Sequence, residues 1–235
     1  MSFLSVTGVV AAVEDCGPVQ RSGSAFLLPS IVEGFSDPWD RPERVTIPLA
    51  HARRSAIWPA IRELPIEHAG AAEAIRRIHA DAYLAGLAAN PAVYRTAVDA
   101  CAAVLTIGRA VACGDVRNGY ALVRPAGHHA GTSTGGGGAC VLAHSAVLAR
   151  ELQALGFARI AIVDWDAHHG NGAQDIFWAD GSVLTISLHQ GRETWSASDG
   201  SVDAVGDGPG QHANVNLPFD PGAGGAAYAL AMTSV

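Results

Sequence analysis

The sequence is poor in charge. Only 16% of its 235 residues are Asp, Glu, Lys or Arg, which argues against long disordered tails. Basic residues form no run, and acids outnumber bases 22 to 15, for a formal charge of −7. The basic stripe of a nucleic-acid-binding surface is missing, so no nucleic-acid partner is expected. Cysteine is scarce as well. Cys16, Cys101, Cys113 and Cys140 make no Cys-x-x-Cys pair; they read as buried thiols of a reducing compartment, not as a disulfide framework. The apolar N-terminus lacks a basic n-region, which argues against a signal peptide. No segment reaches the roughly 18 unbroken apolar residues of a membrane span. These absences together predict a cytoplasmic protein without a membrane partner.

What is present is apolar. Hydrophobic residues make up 49% of the chain, enough for one sizeable core, and one domain over residues 1–235 is the expectation. Residues 5–13 suit a first strand, and the Gly-, Pro- and Ser-rich stretch 16–43 suits a long loop. Helical spacing follows near 44–57, 71–88 and 91–113. Tyr120–Val123 then reads as a short buried strand ending in Arg124-Pro125. A glycine tract, Gly135 to Gly138, lies in the loop beyond it, and a helix fits 140–155. The continuous apolar run within Arg159–Trp165 marks a strand covered on both faces. A short helix fits 172–178 and another buried strand fits Val183–Leu188. Strand-helix-strand alternation of this kind predicts an α/β fold with a parallel sheet and helices on both faces.

The densest chemistry is Asp164-Trp165-Asp166-Ala167-His168-His169-Gly170-Asn171-Gly172, at the end of a buried strand. Ligands in open α/β sheets bind at the carboxyl ends of strands. If the strand geometry continues past Asp164, alternation brings Asp164, Asp166 and His168 onto one face. Carboxylate oxygen and imidazole nitrogen are ordinary zinc ligands, and catalytic zinc takes three protein ligands plus water. Asp166 and His168 supply two; the third must come from elsewhere. The plain structural reading is a helix start capped by Asp166, with satisfied or solvated histidines. Four ionisable groups within six residues of an apolar strand weigh against it, because burying them without partners is costly. A second cluster, Arg124-Pro125-Ala126-Gly127-His128-His129, also follows a buried strand, and a histidine pair there suits proton transfer near neutral pH.

These stretches, with Leu184-Thr185-Ile186-Ser187-Leu188-His189-Gln190, resemble the histone deacetylase and acetylpolyamine amidohydrolase family, in particular its class II-like bacterial members. Asp40-Arg41-Pro42-Glu43-Arg44, Ile78–Leu84 and Gly206–Gly210 leading to Asn214–Pro218 match more weakly. The resemblance implies the arginase-deacetylase-like fold and a zinc-dependent removal of acetyl groups from acetyl-lysine, an acetylpolyamine or a similar amine. It implies Asp166 and His168 as zinc ligands, and His128 and His129 as the tandem histidines that handle the proton of zinc-bound water. Asp164 would orient His128, and Asn171 would face His129. Asp164, Asp166, His168, Ser187 and Leu188 would wrap a structural potassium ion, and Phe177, Asp180 and Val183 match a second monovalent site. The carbonyl of Gly138 would accept the substrate amide N–H. A second copy of the chain is a candidate partner.

The chain departs from the family pattern in several places. The third zinc ligand, an aspartate in a Gly-Phe-Asp-Ala-like motif, and the later oxyanion-stabilising tyrosine are absent before Val235. A truncated gene or partial sequence, with the last strands missing, is the simplest expectation, and it predicts that the fragment itself is inactive and that Val183–Ile186 is left as an open apolar edge. The aromatic expected before Cys140 is Ala139, an expected Asn-Asn reads Ala143-His144, and the acidic loop before Pro91 looks deleted. Trp195 is a candidate replacement aromatic. Two other readings stand beside the deacetylase: a degenerate pseudoenzyme acting as a binding module, and an arginase-type binuclear manganese hydrolase. The second needs a bridging carboxylate where this chain has Gly170. A serine esterase is set aside because no Gly-x-Ser-x-Gly elbow occurs.

Overall fold

The fold, a computed structural model, describes residues 40–191 and 200–234 and the backbone of three strands before them. Those are β1 (Ser2–Val6), β2 (Val9–Val13) and β3 (Ser24–Leu27). The other strands are β4 (Ile61–Glu63), β5 (Asn118–Ala121), β6 (Ile160–Asp164), β7 (Val183–Gln190) and β8 (Asn214–Phe219). They form one sheet in the order β4-β3-β5-β1-β2-β6-β7-β8. Every pairing is parallel except those of β2, which runs antiparallel to both β1 and β6. β5 and β6 therefore point the same way although two strands stand between them. Their carboxyl ends open on the same end of the sheet, where the two chemical motifs begin.

Helices cover both faces. α4 (Pro91–Ala112) has Pro91 at its first position, and Asn90 accepts from Val93 N; a proline whose missing N–H costs nothing there and a capping amide start the helix firmly. Its apolar side and that of α5 (His144–Ala154) close the main core with Val104, Leu105, Leu148, Leu152, Ile162 and Val183. Strand alternation sends Ile186 and Leu188 of β7 to the opposite face, where they meet Ala231 and Tyr228 of α7 (Gly225–Met232). α1 (Glu43–Arg53) packs Val45 on Leu122, and α6 (Asn171–Phe177) follows the site motif directly. Among the described residues no helix is long and apolar enough to cross a membrane.

Several sequence expectations need correction. The single strand at 5–13 is two antiparallel strands, β1 and β2. The loop at 16–43 contains β3, and much of the rest lies outside the described residues. The helix near 44–57 ends at Arg53, and a 3-10 turn follows at Trp58–Ala60. The helix at 71–88 is broken into α2 (Ala71–Arg76) and α3 (Asp81–Ala88). The break has a cause: Ala80 is extended and its N–H donates to Thr132 O instead of continuing the helix. β4 went unread because three residues carry too little pattern. The Val183–Ile186 run, expected to be an open apolar edge, is paired by β8 from Thr185 onward. Among the described residues the edge falls on β8, which carries Pro218, a residue suited to an edge because it has no N–H to offer.

Candidate active site

Six side chains from two separated motifs meet at the carboxyl ends of β5 and β6. His128 Nδ1–H donates to Asp164 Oδ2 over 2.9 Å. His129 Nδ1–H donates to Asn171 Oδ1 over 2.7 Å. The His128 and His129 rings lie 3.9 Å apart, and His129 stands 6.1 Å from the ring of His168. His168 Nδ1 and Asp166 Oδ1 are 3.1 Å apart, and His128 Nε2 is 3.9 Å from the same Asp166 oxygen. The strand does not continue beyond Asp164 as the alternation argument required. Asp164 Oδ1 accepts from Asp166 N and Asp166 Oδ1 accepts from His168 N, so tight turns, not pleat, bring Asp166 and His168 together.

The loops around these groups are locked backbone to backbone. Val141 N donates to Ala126 O, Gly172 N to His128 O, and His129 N to Cys140 Sγ at 3.3 Å. Gly136, at φ +75°, packs so closely on the His129 carbonyl that an added Cβ would collide with it. Gly170 is equally confined by the Asp164 carboxylate. The positive-φ run extends through Gly138 to Ala139, at φ 59°, and this puts the Gly138 carbonyl in the same loop system as His129.

Protonation of the two histidines is pulled apart. Burial works against a charge on His128, but the Asp164 and Asp166 carboxylates overcome it and raise its pKa. His129 is pushed down to about 4 by burial and by its neighbour His128. Asp166 is held below the usual carboxylate range: burial opposes this, but His128 and His168 outweigh it. Near neutral pH His129 is thus an uncharged imidazole with Nδ1–H donated to Asn171, while His128 is biased to the cation beside Asp164. Two titratable groups driven in opposite directions are a recurrent mark of acid–base sites.

Asp166 and His168 fit two positions of a zinc ion: donors each about 2.0–2.1 Å from a tetrahedral metal sit roughly 3.3 Å apart, near the 3.1 Å seen here. Among the described residues no group of three or more His, Cys, Asp or Glu is arranged to hold a metal, so the third ligand is not in view. Of the residues assigned to monovalent cations, Asp164 and Ser187 pair across β6 and β7, with Leu188 next in line. Phe177 and Val183 are buried, and the Asp180 carboxylate accepts from Ser182 N and Oγ and pairs with Arg150 at 2.7 Å. Trp195 lies outside the described residues, as does Cys16. The buried histidines His79 and His144, present in the sequence only within motif matches, were given no role of their own. His79 Nε2 accepts from Ala143 N at 3.0 Å, a long-range contact that no local pattern signals.

Known proteins resemble this chain in sequence and in fold. The histone deacetylase domain matches residues 66–235. Histone deacetylase 15 of Arabidopsis thaliana is 32% identical over 246 aligned positions, covering 94% of this chain and 44% of that protein. A probable deacetylase of Archaeoglobus fulgidus is 38% identical over 143 positions, covering 61% of this chain and 39% of that one. The crystal structure of the HDA15 HD domain superposes with a TM-score of 0.75 at 28% identity, over 86% of this chain and 63% of that chain. The chain belongs to the histone deacetylase family and has its arginase-deacetylase-like α/β fold. It spans 39% and 44% of the length of the two curated relatives named.

Proposed function

We propose that residues 1–235 form a single catalytic domain, incomplete in its ligand set, of a zinc-dependent amidohydrolase that removes acetyl groups from acetyl-lysine, an acetylpolyamine or a similar amine. The observation that carries this reading is the tandem pair: His128 on Asp164 at 2.9 Å and His129 on Asn171 at 2.7 Å, facing the Asp166–His168 donors. Zinc held by Asp166, His168 and a third ligand would polarise the amide carbonyl and acidify a bound water. Nε2 of His129 would take the proton of the attacking water and return it to the leaving amine. Asn171 holds the His129 tautomer in which Nδ1 carries the proton and Nε2 does not. The His128–Asp164 pair would stabilise the negative charge that develops beside it. The Gly138 carbonyl would accept the substrate N–H, and the products would be acetate and a free amine.

Asp164, Asp166, His168, Ser187 and Leu188 would hold a potassium ion, and Phe177, Asp180 and Val183 a second monovalent one. Cys101, Cys113 and Cys140 are free thiols, in keeping with a cytoplasmic setting. The 235-residue chain alone would be inactive, since two ligands leave zinc too open. The binding-module reading is favoured by that same missing third ligand among the described residues. The test is hydrolysis of an acetylated primary amine by a protein containing residues 1–235, with elemental analysis after dialysis. About one zinc per chain and turnover that depends on His129 support the enzyme. Two tightly held metals would favour the manganese hydrolase, and metal-independent ligand binding without turnover would favour the module.

A further inference from the structure

The turn that carries Asp166 and His168 also carries His169, whose side chain points the other way and is fully buried. Its Nε2–H donates to Gln174 Oε1 over 3.1 Å. The same oxygen accepts from Asn214 Nδ2 at 2.9 Å and Asn216 Nδ2 at 2.8 Å. An amide oxygen has two lone pairs, so three buried N–H donors crowd one acceptor. The partners are themselves fixed. Asn214 Nδ2 also donates to Ala204 O, and Asn214 Oδ1 accepts from Thr185 Oγ1 at 2.6 Å.

A second strut runs parallel to the first. Gly170 N donates to Ser187 Oγ at 3.0 Å, the Ser187 hydroxyl donates to His189 Nδ1 at 2.9 Å, and His189 Nε2–H donates to Gly200 O at 3.0 Å. Gln190 N donates to Ala167 O at 2.9 Å. Strand alternation explains why these groups meet: Thr185, Ser187 and His189 share one face of β7, and Asn214 and Asn216 share one face of β8. The sheet thus grips the turn from beneath at Ala167, His169 and Gly170, bracketing His168 and leading directly into Asn171.

We propose that Gln174 is a positioning residue for the Asp166–His168 turn, acting as an acceptor through His169 and tying the turn to β8. This rests on the reading of that turn given under Proposed function. The role is chemically specific. A carboxylate offers about four acceptor sites, so Gln174→Glu keeps all three bonds, whereas Gln174→Leu keeps the volume and loses them. Partners of this kind set the orientation of metal ligands, and losing one costs roughly 10–100-fold in metal affinity.

The experiment compares wild type, Q174E and Q174L in the 235-residue chain. Its readouts are the His169 ring-nitrogen signals, amide exchange at Gly170 and Asn171, and zinc affinity against a chromophoric chelator. Wild type and Q174E are expected to show the Nε2–H tautomer of His169 and slow exchange. Q174L is expected to exchange at least about tenfold faster at both amides and to bind zinc roughly 10–100-fold more weakly. Where Q174L does not fold, Q174N keeps the amide, withdraws the acceptor by one methylene and is read the same way. Wild-type exchange in Q174L or Q174N overturns the proposal, and so does a Q174E that behaves like Q174L. If zinc binds wild type, Q174E and Q174L equally while exchange differs, the metal reading of the turn falls, and the exchange data still decide the positioning role.

Discussion

The chain contains two adjacent histidine pairs, and they are used differently. His128 and His129 sit in an irregular loop after β5 whose backbone is pinned to Ala130, Val141 and Gly172, and both rings turn to the same cleft, 3.9 Å apart. His168 and His169 sit in a turn entering α6, and their rings diverge. His168 joins Asp166 at the surface, while His169 is buried against His189, ring centroids 4.7 Å apart. A pair of identical residues is therefore not a functional unit in itself. The backbone path decides whether neighbours share a face, and the groups each ring then meets decide whether an imidazole is a reagent or a hydrogen-bonded part of the core.

The contrast can be broken most severely at His129. In an active protein containing this chain, H129A should lower amide hydrolysis by about 10²–10⁴-fold, the usual span for a general base, with zinc content unchanged on elemental analysis. Zinc lost together with activity would mean that a ligand had been mistaken for a base. His168 should behave in the opposite way: H168A should release zinc into a chelator, because one of only two ligand groups in view disappears, while the thermal midpoint of the metal-free chain barely moves.

His169 sharpens the comparison from the other side. H169A should destabilise the metal-free chain by about 1–3 kcal/mol in a denaturant titration, since a buried ring is removed and its acceptor on Gln174 loses a donor. H128A, whose ring is only partly buried, should cost less. Equal losses at His128 and His169 would erase the distinction drawn here.

The smallest expected effect is a pH dependence from the buried histidines outside both pairs. Burial and the neighbouring His79 push His144 down from 6.5 to about 4, and burial lowers His79 as well. Both are neutral in the fold, so the unfolded chain takes up protons first as pH falls. Their contribution is fully present above about 6.5 and is lost progressively toward pH 4. H144N should flatten that part of the stability–pH curve; an unchanged slope would show that His144 titrates normally in the fold.

Sequence alone determined the elements that carry strong local signals. The unbroken apolar run of β6, the helical spacing and proline start of α4, and the crowding of carboxylates and imidazoles after Val163 all follow from pattern and from the cost of burying charge. They were enough to single out Asp164, Asp166 and His168 and, separately, the His128–His129 pair; the family resemblance these motifs carry joined them with Asn171 into one candidate group. The tertiary structure decided what depends on partners distant in the chain. It split 71–88 because Thr132 takes the Ala80 N–H, and it moved the sheet edge from β7 to β8. It set the His128 and His129 protonation states apart, raising the first through the carboxylates it faces and lowering the second through burial. It also turned His169 inward to Gln174, Asn214 and Asn216. Local propensity and periodicity reach only a few residues along the chain, whereas hydrogen-bond acceptors, strand partners and neighbouring charges are supplied by whichever segments the fold brings alongside.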